Sequence, residues 1–356
     1  MNNIPGYWQT NVPASTVTSM RCGGPLAYLA KVASLAEVQE SLTVAARLGL
    51  PVCLLGGGSN LVFADDGFAG VVIQPQQQGI DYVTAPDSLL QRGLREQAEH
   101  VVASRYRTEK RPDALSLKEG AIETGEPVLV EMSAGVVWGQ AVAWSLKECL
   151  SGLQWYARIP CRVGGAVYNN IHGQSHLLSE QIVAVRAIDR ESGELTTYTS
   201  ADLDFGYDHS RFHEHPAVIV SVVFTLERVS NEAAANNQKL YLDWTKEKAR
   251  VQPSGANCGS VFKNLDPADA GDRPVAAGWY IDECGLRGEQ EGGMQVYPGH
   301  ANFIINLGEG TQADLTRLIR RIQAAVQKRF GIWLEPEVEC LTSTGERTSW
   351  RSQTSA

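Results

Sequence analysis

Apolar residues first recur at helical spacing between 34 and 48, where Leu35, Val38, Leu42 and Ala45 share one face of a 3.6-residue repeat. Ser34 followed by Glu37 forms a capping box, and Gly49 supplies the stop. The period then shortens. A brief apolar run at 51–55 meets Gly56-Gly57-Gly58-Ser59-Asn60, and Val71-Val72-Ile73 follows, so the stretch reads as strand, glycine loop, strand. From about 74 to 127 the pattern weakens into mixed charge and a glutamine run, with one helix expected at 89–103, and the segment reads as an insertion. Core-like sequence resumes at 128–135, continues in a helix at 138–149 and reaches a second glycine-rich stretch at 159–173. Strands are expected at 183–188 and 217–226, and the polar segment 230–238 is the expected linker. Beyond it lies a small α+β region. It carries a helix opened by Thr311 with Asp314, with Leu315, Leu318, Ile319, Ile322 and Val326 on its apolar face, and a closing strand containing Val338. The polar tail after Ser343 is expected to be disordered.

With 356 residues and 43% hydrophobic content, the chain can bury a large core, and about 150 residues per domain implies two or three domains. The net charge of -9 and the absence of a basic run argue against nucleic acid as a partner, so an anionic ligand must meet a local site. No apolar run is long enough for membrane insertion, and the first residues lack a secretory pattern, so a cytoplasmic location is expected. The seven cysteines are scattered without a Cys-x-x-Cys spacing, which argues against a disulfide framework or a metal site.

Successive glycines at 56–58 let backbone amides approach a diphosphate, with Ser59 and Asn60 adding donors. The spacing is neither the dinucleotide fingerprint nor a Walker loop. Ile159-Pro160-Cys161-Arg162-Val163-Gly164-Gly165-Ala166, near Asn169-Asn170, forms a second such loop. Either loop alone also suits a tight turn; two in one domain favour a large nucleotide cofactor.

Several segments, in order, resemble the UDP-N-acetylenolpyruvoylglucosamine reductase family. They include Arg21-Cys22-Gly23-Gly24-Pro25, the two glycine loops, Phe205-Gly206-Tyr207 and Gly259-Ser260-Val261-Phe262-Lys263-Asn264. Ala277-Gly278-Trp279-Tyr280-Ile281-Asp282, His300-Ala301-Asn302-Phe303 and Leu334-Glu335-Pro336-Glu337-Val338 complete the series. The resemblance implies an α+β fold: an FAD-binding domain of the vanillyl-alcohol oxidase type over 1–228 and a smaller α+β substrate-binding domain over 229–345, with a tail at 346–356. It implies FAD and NADPH as cofactors and reduction of the enolpyruvyl group of a UDP-sugar in cell-wall synthesis. FAD is expected to be held without a covalent bond, since 56–60 contains neither His nor Cys.

By the same resemblance Ser260 is the proton donor and Glu337 the carboxyl group at the reacting carbon. Gly56, Gly57, Gly58, Ser59, Asn60, Ile159, Val163, Gly164, Gly165 and Asn170 match cofactor-binding positions. Tyr207, Arg250, Lys263 and Asn264 are the substrate-binding candidates. The chain departs from the pattern in three places: Cys161-Arg162 stands in the second loop, Ile171-His172-Gly173-Gln174-Ser175 follows Asn170, and Asp208 replaces the family's catalytic arginine. Asp208 must be turned away, protonated or compensated by a nearby cation, for which Arg162 and Arg211 are candidates. These departures leave two alternatives open: an FAD oxidoreductase for another nucleotide-sugar or enol ether, and a binding protein without turnover.

Overall fold

The computed structural model describes residues 4–84, 86–103, 125–174 and 176–348. Its first helix spans Leu35–Leu48. The Ser34 hydroxyl accepts from the Glu37 amide at 3.2 Å, the Glu37 carboxylate accepts from the Ala33 amide at 2.6 Å, and Gly49 ends the helix at φ 63°. Val38, Leu42 and Ala45 pack on a four-stranded sheet ordered Trp8–Pro13, Pro25–Val32, Phe68–Pro75, Val52–Leu54. Phe68–Pro75 runs parallel to both of its neighbours, the geometry a helical crossover produces.

A second, antiparallel sheet is ordered Leu195–Thr199, Ile182–Asp189, Ala217–Arg228, Glu126–Ser133, Ile80–Tyr82. Ala217–Arg228 reads as a nearly continuous apolar run because both of its faces are covered. One face meets Trp138, Tyr156 and Val163, and on the other Leu90, Val183 and Val223 cluster. The segment read as an insertion is therefore built into this domain. Ile80–Tyr82 is its edge strand, and the helix Ser88–Ala103 sets Leu90 against the sheet. Three-residue strands carry too little alternation to show a period, which is why the pattern looked weak; 104–124 lies outside the described residues.

The expected linker at 230–238 opens the helix Asn231–Val251 instead. Ser230 caps it by accepting from the Ala233 amide at 3.2 Å, and three consecutive alanines favour it, although its surface is too polar to show an apolar stripe. Beyond it, a C-terminal sheet ordered Ala256–Ser260, Phe303–Asn306, Met294–Val296, Gln290–Glu291 supports the helices Ala277–Glu283 and Gln312–Phe330. The Thr311 hydroxyl accepts from the Asp314 amide at 3.0 Å, and Leu315, Leu318, Ile319, Ile322 and Val326 join Phe262 and Tyr280 in one core.

The expected boundary is interlocked rather than clean. Met20 and Cys22 pack into the C-terminal core, and Glu339–Leu341 returns to pair in parallel with Leu61–Phe63. The start of the tail is also ordered: a turn at Gly345 lets Arg347 reach the Glu339 carboxylate and the Tyr168 hydroxyl. Residues 349–356 lie outside the described residues. Among the described residues no helix is long and apolar enough to cross a membrane.

Candidate active site

A cavity of about 1640 Å³ opens between the two glycine loops, the strand ending at Ser260 and the segment around Glu337. Its first wall is made of backbone. The amides of Gly57, Gly58, Ser59 and Asn60 donate to no carbonyl among the described residues, and all four residues line the cavity. Gly58 has φ 68°, and a Cβ there would stand 2.2 Å from the Val17 carbonyl oxygen, so only glycine lets the loop pack this way. Gly165, across the cavity, has nothing within 4 Å of the position its Cβ would take. Open amides and a glycine facing empty space suit the close approach of a dinucleotide.

The second loop divides its labour. Ile159, Gly164 and Gly165 line the cavity, whereas Val163 is fully buried in the core. The amides of Val163 and Gly164 donate at 2.9 Å to the Val136 and Ala134 carbonyls, which moors the loop. Asn170 is a mooring residue as well. It is fully buried, donates to the Gly206 carbonyl and accepts from the Ser179 amide, each at 2.8 Å, and lies outside the cavity lining.

Ser260 sits where the strand Ala256–Ser260 shifts register against Phe303–Asn306, with Gly259 at φ 82°; the bulge turns the serine to the cavity wall. Asn302 fixes the next residues, since its side chain accepts from the Phe262 amide at 3.0 Å and donates to the Phe262 carbonyl at 2.8 Å. The Glu337 amide donates to the Val261 carbonyl at 2.8 Å, which sets Glu337 beside Ser260, and Asn60 donates to the Glu337 carbonyl at 3.1 Å. Ser260 and Glu337 thus meet on one wall. Burial pushes the Glu337 carboxyl well above the usual range, Asp208 adds to the shift and Lys263 opposes it, so the site favours the protonated form of this carboxyl.

The substrate-binding candidates are placed unevenly. Arg250 is exposed, paired with Glu247 at 2.7 Å and away from the cavity. Lys248, two residues earlier and missed in the sequence, is the lysine of that helix that lines it. Lys248 donates to the Ala157 carbonyl at 2.8 Å, and burial, helped by Arg158, pushes its ammonium down to about 8. Lys263 pairs with Glu335 at 2.8 Å and lines a smaller recess that shares Asp208 and Glu337 with the main cavity. Asn264 accepts from the Ala277 amide at 3.3 Å, and Tyr207 packs on His172 with ring centroids 4.8 Å apart.

The partner of Asp208 is neither arginine expected. Arg162 donates to the Gly135 carbonyl and to Gln76, and Arg211 lies over the Tyr198 ring. His172 takes the role, with Nδ1 at 3.5 Å from Asp208 Oδ1. Two departures from the family pattern, 36 residues apart in sequence, are therefore in contact.

Two glycine loops lining one dinucleotide-sized cavity together with Ser260 and Glu337 define an FAD-binding oxidoreductase of the α+β class. A model of the UDP-N-acetylenolpyruvoylglucosamine reductase C-terminal domain matches residues 252–341, and an FAD binding domain model matches 118–199. The chain is 32% identical over 330 residues to the UDP-N-acetylenolpyruvoylglucosamine reductase of Moorella thermoacetica, covering 93% of this chain and 92% of the relative. It is 30% identical over 344 residues to the reductase of Synechococcus sp. (strain JA-3-3Ab), covering 96% and 93%. The crystal structure of the Thermus caldophilus reductase matches with a TM-score of 0.66 at 24% identity, covering 92% of this chain and 97% of that one. The chain belongs to the UDP-N-acetylenolpyruvoylglucosamine reductase family.

Proposed function

We propose that this protein uses NADPH and bound FAD to reduce UDP-N-acetylenolpyruvoylglucosamine to UDP-N-acetylmuramate, a cell-wall precursor. The observation that carries the reading is the meeting of Ser260 with Glu337, a carboxyl whose protonated form burial favours, in the cavity that the glycine loops also line. The amides of 57–60 and the space before Gly165 hold the cofactor, and Lys248 meets the substrate diphosphate. FAD, when bound, supplies hydride chemistry between NADPH and the alkene. As the terminal alkene carbon gains hydride, negative charge grows on the adjacent carbon and its carboxylate. Ser260 gives that carbon its hydroxyl proton and recovers one from solvent, so one hydride and one proton add across the double bond. Glu337, whose protonated form burial favours, donates a hydrogen bond to the growing charge. The location follows from the reading: NADPH and nucleotide-sugars are cytoplasmic pools.

The test is spectroscopic. The purified yellow protein bleaches with NADPH and regains its colour when UDP-N-acetylenolpyruvoylglucosamine is added; bleaching without substrate-dependent recovery would refute the reaction. Acid precipitation releases all the colour, because the thiols lining the cavity, Cys53, Cys161 and Cys258, are all buried and burial raises the pKa of each, which leaves no reactive thiolate for attachment.

A further inference from the structure

We propose that His172, held by Asp208, is a substrate-positioning residue of this chain that recognises the carboxylate of the enolpyruvyl group. The inference rests on the reductase reading above. Asp208 is 8% exposed on the cavity wall, and its Oδ2 is buried without a partner among the described residues. A buried carboxylate is retained beside other ionisable groups when something at the site holds it. Asp208 Oδ1 faces His172 Nδ1 at 3.5 Å, and the His172 ring packs on Tyr207. The imidazole is thereby directed at one edge and covered on one face.

His172 Nε2 has no partner among the described residues, while the residue lines the same cavity as Ser260 and Glu337. Nδ1 faces Asp208 and Nε2 is the ring nitrogen left for a ligand. Lys263, whose field reaches Glu337, is already paired with Glu335, and Arg162 and Arg211 are engaged elsewhere. His172 is thus the group at Asp208 equipped to receive an anion. It acts through binding and orientation and transfers no proton.

The experiment measures equilibrium binding of two probes to the FAD-loaded protein by calorimetry: UDP-N-acetylmuramate, which carries a carboxylate, and UDP-N-acetylglucosamine, which lacks one. The wild-type protein prefers the first by at least about tenfold, the scale of one charge-assisted hydrogen bond. His172→Gln reduces the preference to about twofold or less and leaves the affinity for UDP-N-acetylglucosamine unchanged, which also reports that the variant is folded. Asp208→Asn lowers the preference partway, and His172→Arg, which keeps N–H donors at the position, restores part of it. A His172→Gln protein that keeps the full preference overturns the proposal, as does a wild-type protein with no preference to lose. Either result can coexist with normal turnover, so the inference can fail while the reductase reading stands. A protein that binds both probes and never reoxidises with the enolpyruvyl substrate refutes the reading itself.

Discussion

On the wall formed by 56–60 and 159–165 the open features are the backbone amides of 57–60 and the space before Gly165, left free because glycine lacks the side chain that would fill it. On the wall formed by Ser260 and Glu337 they are side chains, aimed by a register shift and by segments hydrogen-bonded to their neighbours. The first wall tolerates change where a Cβ meets space and fails where it meets a carbonyl. The second depends on the identity of single atoms. A cofactor of fixed shape can be met by a surface, whereas a reacting carbon needs a donor at one point.

The sharpest contrast comes from Ser260→Ala. Removing the hydroxyl proposed as the proton donor leaves the glycine wall intact, so FAD content and bleaching by NADPH are retained. Reoxidation by substrate slows by about 100- to 10,000-fold, the usual cost of losing one positioned acid. Stopped-flow absorbance at the flavin band measures both halves. Wild-type reoxidation in this variant would remove Ser260 from the chemistry, and slow bleaching would show that the walls are not separable.

Two alanine substitutions divide the first wall. Gly58→Ala puts a Cβ 2.2 Å from the Val17 carbonyl oxygen in a loop at φ 68°, so the loop must move. Backbone strain of this kind costs about 1–3 kcal/mol, and the variant melts earlier and loses FAD. Gly165→Ala meets nothing within 4 Å and lies inside the helix Val163–Tyr168. Alanine there adds about 0.5–1 kcal/mol of helix stability, so the cofactor-free protein melts no earlier while FAD binds more weakly. Thermal melts with and without FAD decide the matter; equal loss of FAD and stability in both variants would erase the distinction.

Much of this was legible in the sequence, and the failures share a cause. The Ser34 cap, the capping box at Thr311 and the glycine loops are local patterns, and local patterns survive without coordinates. Phase and contact do not. Arg250 and Lys248 stand two residues apart on one helix, about 200° around its axis, and a helix with no apolar stripe gives no sign of which one turns inward. Asn170 sits in a motif next to the cofactor loop, yet its amide is used to hold two backbone groups in place. The Asp208–His172 contact joins distant segments, and charge alone pointed to arginines because histidine counts as neutral in a formal tally.

A last prediction tests whether the second wall is maintained for chemistry at the expense of stability. Glu337 titrates at an ordinary carboxylate value in the unfolded chain and well above it in the folded protein, first because of burial and then because of Asp208. At pH 4 the group is largely protonated in both states and contributes nothing unfavourable. As pH rises past the unfolded value, the unfolded chain releases the proton and the folded protein keeps it, so folding is progressively disfavoured until the raised value is passed. Glutamine has nearly the same shape and cannot ionise. Glu337→Gln therefore melts with the wild type near pH 4 and above it near pH 8, by about 2–4 °C if the group contributes ~1 kcal/mol in a domain of 150–250 residues. Coincident melts at both pH values would mean that Glu337 is ionised in the folded protein. Its role would then shift from donating a hydrogen bond to opposing a substrate carboxylate, which the Ser260 wall could not accommodate.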